Sequence, residues 1–275
     1  MSVHTDDGVA LHGLVYDRDR GDSPPSPAGG VVGIVVCHGV TQSSQRPEVQ
    51  EISRTFAAYG TVLSIDHRGH GRSGGRSTVG DREVLDVDAA VGWLRDHGCT
   101  TVVTTGWSMG AGAVLRHEAL VGEELHGHPL RHHADAIVHV SGTSRWLARD
   151  TRRTRWMLTM MRVRRPGHLV ARRMGVRLEW PMWQTFPLMP VEAAARLGVR
   201  WRTGDRPVPL LVVHGSDDGY FAAGHADALA EAAGEAAEVW IEDGFGHAEV
   251  GIVTHPDLLA RLGSRLPELI GRIPR

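Results

Sequence analysis

The sequence predicts an α/β fold: a mostly parallel central sheet with helices on both faces, carrying one helical insertion. Three observations predict it. Apolar, β-branched runs recur along the chain and are continuous rather than alternating, the pattern of strands buried on both faces. Between them lie stretches with apolar residues on one face at helical spacing, and strands alternating with helices make a parallel sheet. The chain has 275 residues, 41% hydrophobic and 23% charged, enough for one such domain with a sizeable core.

The elements follow in order. Val9 to Tyr16 alternates and reads as an edge strand, and the Pro/Gly/Ser stretch Gly21 to Pro27 cannot continue it. Val31 to Cys37 is a continuous apolar run, hence a buried strand. Residues 47–59 read as a helix opened by Pro47 and closed by Gly60. Thr61 to Ile65 is the next strand, and Glu83 to His97 a helix with Val84, Val87, Val91 and Leu94 on one face. Thr101 to Thr105 is β-branched throughout, and a small-residue helical stretch starts at Ala111. Ala136 to Val140 is a further strand. Regularity stops at Thr143 and resumes at Val208, with strands at Val208–Val213 and Glu238–Glu242 and a closing helix from Asp257 to Ile270. The expected organisation is a core of residues 1–142 and 207–275 interrupted by an Arg/Trp-rich insertion, residues 143–206.

Charge is unevenly spread. A net charge of −2 gives no reason to expect a nucleic-acid partner, but all thirty basic residues are arginine. Fifteen of them fall between Thr143 and Arg206 against four acids, a local +11. Five of the eight tryptophans lie in the same stretch. This composition suits a helix with its apolar side over a pocket and its charges in water; the sharper alternative is a basic amphipathic surface that meets anionic lipid or steers an anionic substrate. Cys37 and Cys99 cannot form a disulfide framework and read as small core hydrophobes. Met1 to Gly8 has neither a basic start nor an apolar centre, and no apolar run reaches spanning length, so a cytoplasmic protein is expected.

The most informative residues are Gly106-Trp107-Ser108-Met109-Gly110, between a strand and a helix. A serine between two glycines at such a junction sits on a sharp turn that exposes its hydroxyl. The helix that follows aims N-terminal amides at the place where negative charge would develop, Met109 N–H first among them. A serine hydroxyl needs a base and the base an orienting acid. Candidates lie on loops after the last two strands: Asp217 and Asp218 in His214-Gly215-Ser216-Asp217-Asp218, and His247 in Gly244-Phe245-Gly246-His247. Two other clusters invite chemistry. Asp66-His67-Arg68-Gly69-His70-Gly71 lacks the lysine and spacing of a phosphate loop and reads as a tight turn with an Asp66–Arg68 ion pair. His126, His128, His132 and His133 match no strong zinc spacing and read as a solvated loop, so no metal is expected.

Serine, acid and histidine in this chain order, each after a strand, resemble the α/β-hydrolase superfamily over essentially the whole length. The likeness is to bacterial esterase-like hydrolases with an "HG" oxyanion turn, here His38-Gly39-Val40, and an Asp-x-Arg-Gly-x-Gly segment. The resemblance implies Ser108 as nucleophile, His247 as base and Asp218, four residues after His214, as acid. It implies Val40 N–H as the second oxyanion donor beside Met109, His38 as a brace for that turn, and the insertion as a cap over the site. It implies hydrolysis of a small-molecule ester or thioester without a cofactor. The same triad serves acyl transfer, perhydrolysis and C–C bond hydrolysis. The reading from another class is a non-catalytic binding protein docking through the basic insertion.

Overall fold

The computed structural model describes residues 1–18, 30–162, 164–181 and 187–272; the expected Gly21–Pro27 loop and Trp183 lie outside them. In chain order the elements are β1 (Ser2–His4), β2 (Ala10–Tyr16), β3 (Val32–Cys37), α1 (Pro47–Ala57), β4 (Thr61–Ile65), α2 (Glu83–Asp96), β5 (Thr101–Trp107) and α3 (Met109–Leu120). There follow β6 (Glu124–Leu125), β7 (His128–Pro129), β8 (Ala136–Val140), α4 (Arg152–Arg162), α5 (Arg164–Arg173), α6 (Pro190–Thr203), β9 (Leu210–Gly215), α7 (Gly224–Ala233), β10 (Ala237–Glu242), α8 (Ala248–Ile252) and α9 (Pro256–Gly271).

Eight strands form one sheet in the order β1-β2-β4-β3-β5-β8-β9-β10, parallel from β4 to β10 and antiparallel at β1 and β2. The central strands β3, β5, β8 and β9 are buried at every position, which explains their unbroken apolar runs. Successive side chains serve opposite faces. Val35 and Cys37 join Val87, Val91, Val114 and Leu229 on one side; Ile34 and Val36 join Phe56, Val138 and Leu262 on the other. Each such fully buried aliphatic or aromatic side chain contributes about 1.5–3 kcal/mol of transfer free energy. Both cysteines are free and buried in the first of these layers.

One strand expectation is corrected. Val9–Tyr16 is an edge only in part: β1 lies outside it over Ala10–His12, while among the described residues Leu14–Tyr16 pair with β4 and have no strand beyond them. At three residues, β1 is too short to leave a period-two signature.

Residues 143–206 divide in space. α6, the last part, packs on α3 and α7, with Ala193, Ala194 and Leu197 fully buried in the main core. Residues 143–181, with α4 and α5, instead lie over the carboxyl ends of the strands. They are tied down at both ends. Thr151 Oγ1 donates to Tyr220 O (3.2 Å) near the first, and Leu178 bridges to Ser77 near the second. Among the described residues no helix is long and apolar enough to cross a membrane.

Candidate active site

Ser108 stands between β5 and α3 with φ +53° and ψ −111°, a backbone region that costs a non-glycine residue about 1–3 kcal/mol. The turn is tight enough to exclude side chains from its flanks. A Cβ on Gly106 would run into the backbone of Gly110 and Ala111, and one on Gly110 into the carbonyls of Cys37 and His38. Ser108 N–H donates to Val140 O (2.9 Å), which anchors the strained residue to β8.

The three residues read from the motifs meet. Ser108 Oγ–H donates to His247 Nε2 (2.9 Å), and His247 Nδ1–H donates to Asp218 Oδ2 (2.7 Å). The other carboxylate oxygen of Asp218 accepts the Tyr220 and Phe221 amides (2.8 and 3.1 Å). His214 Nε2–H donates to Phe221 O (3.1 Å) and closes the same loop. Asp217 points elsewhere: it is exposed, and its carboxylate accepts from Ser216 Oγ (3.3 Å). On the imidazole's flank lie the rings of Tyr220 and Phe221, with centroids 4.6 and 5.7 Å away. Ser141 Oγ accepts from Ala248 N–H (3.0 Å) and so ties the histidine loop to β8.

The His38-Gly39-Val40 turn is clamped at three points. His38 Nδ1–H donates to Gly39 O (2.7 Å) while its Nε2 accepts from His67 N–H (3.1 Å), a pattern that requires the neutral ring. Burial and the neighbouring His70 and His67 hold the His38 pKa well below the usual imidazole range, consistent with that tautomer. His70 Nε2–H donates to Val40 O (2.6 Å), and Gly39 N–H donates to Glu249 Oε1 (2.5 Å). With both carbonyls and the Gly39 amide occupied, Val40 and Met109 flank Ser108 on the wall of the same cavity.

Glu249 has no counterpart in the sequence reading. Its carboxyl is almost fully buried beside the His38-Gly39-Val40 turn, and the only sequence signal is its place two residues after His247. Burial raises its pKa above the ordinary value, with the Gly39 amide opposing. The unfolded chain therefore gives up this proton first as pH rises, and stability falls from the unfolded value upward until the folded group also ionises. Glu249→Gln keeps an acceptor for Gly39 N–H and removes the ionisation. Its Tm relative to the parent is expected to rise by a few degrees from about pH 4 toward neutrality. Parallel Tm profiles for the two proteins would contradict this.

One further expectation is corrected: the Asp66–Arg68 pair does not form. Arg68 is buried and reaches Asp86 (2.7 Å) and Asp7 (2.7 Å), two carboxylates from outside the motif that satisfy its guanidinium. Asp66 accepts the Ser44 and Arg72 amides instead (2.6 and 2.9 Å). The four clustered histidines do not converge: His126 lies against Asp81, His128 against Asp6 and His133 against Glu118. Among the described residues no three His, Cys, Asp or Glu side chains form a metal-ligand set.

Above Ser108 lies a cavity of about 800 Å³. Its floor is Val40, Ser108, Met109 and His247, and its upper wall includes Trp146, Trp156, Met157, Val170 and Met174 from residues 143–181. An apolar wall facing a few convergent polar groups is the ordinary form of a small-molecule site.

A family profile described as the alpha/beta hydrolase family matches residues 34–262. The chain is an alpha/beta hydrolase. A monoacylglycerol lipase of Mycolicibacterium smegmatis is 36% identical over 123 residues, an alignment spanning 43% of this chain and 41% of the lipase. The hydrolase also superposes on an esterase from Pyrococcus furiosus with a TM-score of 0.68 at 22% identity, over 99% of this chain and 89% of the esterase. A serine hydrolase without a lid from Xanthomonas campestris gives 0.59 at 18% identity, over 100% and 94%. These two likenesses are of fold.

Proposed function

We propose that this protein is a serine hydrolase that cleaves carboxylic esters or thioesters through an acyl-enzyme on Ser108. The observation that carries the reading is the hydrogen-bond chain Ser108–His247–Asp218 at the foot of an apolar cavity. His247 takes the Ser108 proton as Oγ attacks the carbonyl carbon, and Asp218 stabilises the imidazolium. Val40 and Met109 amides receive the oxyanion, held in place by the His38, His70 and Glu249 clamps. Collapse of the tetrahedral intermediate returns the proton to the leaving alcohol or thiol, and water repeats the sequence to free the acid. Residues 143–181 act as a cap whose inner face receives the acyl chain, in keeping with the partial likeness to a monoacylglycerol lipase.

A p-nitrophenyl ester series tests the reading. Turnover is expected to start with a burst of p-nitrophenol approaching one per chain where deacylation limits, and to favour chains long enough to fill the cavity. Failure to cleave any member, together with failure to cleave acyl thioesters, would overturn it.

A further inference from the structure

Several arginines elsewhere in the molecule sit against carboxylates, while others among the described residues, such as Arg46 and Arg82, make no ion pair. Arg68, Arg95, Arg116, Arg200, Arg261 and Arg265 each make an ion pair of 3.5 Å or less. The arginines over the cavity do not. Among the described residues Arg145, Arg152 and Arg153 make no ion pair, and all three line the cavity wall. Arg152 and Arg153 open α4, whose first turn holds no acid, so their charge opposes the helix dipole instead of being stabilised by it. Arg153 is also placed with respect to the reacting groups: its guanidinium lies 5.5 Å from the Tyr220 ring centroid, and that ring lies 4.6 Å from His247.

The carboxylates lining the same cavity are Asp217 and Glu249. Glu249 is engaged by the Gly39 amide on the floor, and Asp217 stands on the rim. Three guanidinium groups against one rim carboxylate leave a local excess of positive charge beside an otherwise apolar wall. Such groups bind carboxylate or phosphate oxygens through paired N–H donors, and the attraction persists where the wall excludes water.

We propose that the site takes esters joining an apolar acyl chain to an anionic leaving group, with Arg145, Arg152 and Arg153 receiving the anion at the cavity mouth. The inference rests on the reading of Ser108 as the nucleophile and narrows its substrate class. The bond broken is unchanged: the acyl carbon passes to Ser108 Oγ, and the anionic alcohol leaves with the proton from His247.

A matched pair tests it: 1-hexanoylglycerol and 1-hexanoylglycerol 3-phosphate, both as free solutes. The ratio of kcat/KM, phosphate over neutral, is expected to exceed about tenfold at low salt and to shrink as added salt screens the arginines. Arg145→Gln, Arg152→Gln and Arg153→Gln together should bring that ratio toward one. Arg172→Gln with Arg173→Gln, on the cap but off the cavity wall, should leave it as in the parent. A parent ratio near one with the neutral ester cleaved would overturn this inference alone, and cleavage of neither would remove the esterase reading with it. A triple variant that keeps the parent ratio but no longer sediments with phosphatidylglycerol vesicles would assign the arginines to a lipid surface, also against the proposal.

Discussion

Ser108→Ala is expected to lower ester kcat/KM by about a thousandfold or more while the protein stays folded. The hydroxyl lies within hydrogen-bond reach of His247 Nε2 and is mounted on a turn whose two flanking glycines have no room for a side chain. Its removal leaves the base without a proton to take. The fold does not depend on it, because the side chain makes one hydrogen bond at a cavity surface and its backbone is held by Val140. Alanine also remains at φ +53°, so the turn strain is unrelieved and Tm should move by only a few degrees. Residual activity within tenfold of the parent would contradict the assignment.

Asp218→Asn should cost nearly as much, roughly a thousandfold to ten-thousandfold in kcat. The amide presents either an oxygen or an NH₂ to His247 Nδ1. The second choice imposes the tautomer whose Nε2 carries hydrogen and cannot accept from Ser108. Two backbone amides already occupy the other oxygen of Asp218, and they favour the NH₂ pointing toward the imidazole. Asp217→Asn is the matched control, since that side chain is exposed and directed at Ser216. It should change kcat by less than about threefold, in line with a solvated charge. The reverse ranking, measured by initial rates on one ester, would place the acid one residue earlier.

Much of this was legible in the sequence because it is encoded locally. The parallel strands announce themselves by unbroken β-branched runs, since burial on both faces removes any reason to alternate. Ser108 and His247 are marked by glycine spacing and by position after strands, and those are properties of a few contiguous residues. What was not legible depends on contacts between distant parts. Nothing near Glu249 in the sequence points to Gly39, 210 residues away, nor anything near His70 to Val40. Ser141 is an unremarked serine until β8 and the histidine loop come together. α6 carries the arginine-rich composition of residues 143–206, yet its Ala193, Ala194 and Leu197 face the core, and composition averaged over that stretch hides the switch.

The histidines make the same point. Seventeen imidazoles are indistinguishable by residue type, and the fold sorts them by surroundings. At His67, burial alone would depress the pKa, but the Asp86 carboxylate and Cys37 outweigh it and lift the value to about 10. Burial, with the neighbouring His214, depresses that of His139 to about 3. Among the described residues only His247 stands between a serine and a carboxylate at a cavity wall, and the distinction lies in geometry rather than in sequence.

A second serine sharpens the decisive test. Ser144 Oγ lies 2.7 Å from His225 Nδ1, and His225 Nε2 lies 2.5 Å from Asp150, but Ser144 and His225 are buried away from the cavity wall. The most direct measurement is reaction with a fluorophosphonate, read by intact mass and by sequencing the labelled peptide. One adduct per chain is expected, on Ser108, absent from Ser108→Ala and coincident with loss of ester turnover. An adduct on Ser144 or any other residue, or full esterase activity with no adduct, would contradict it.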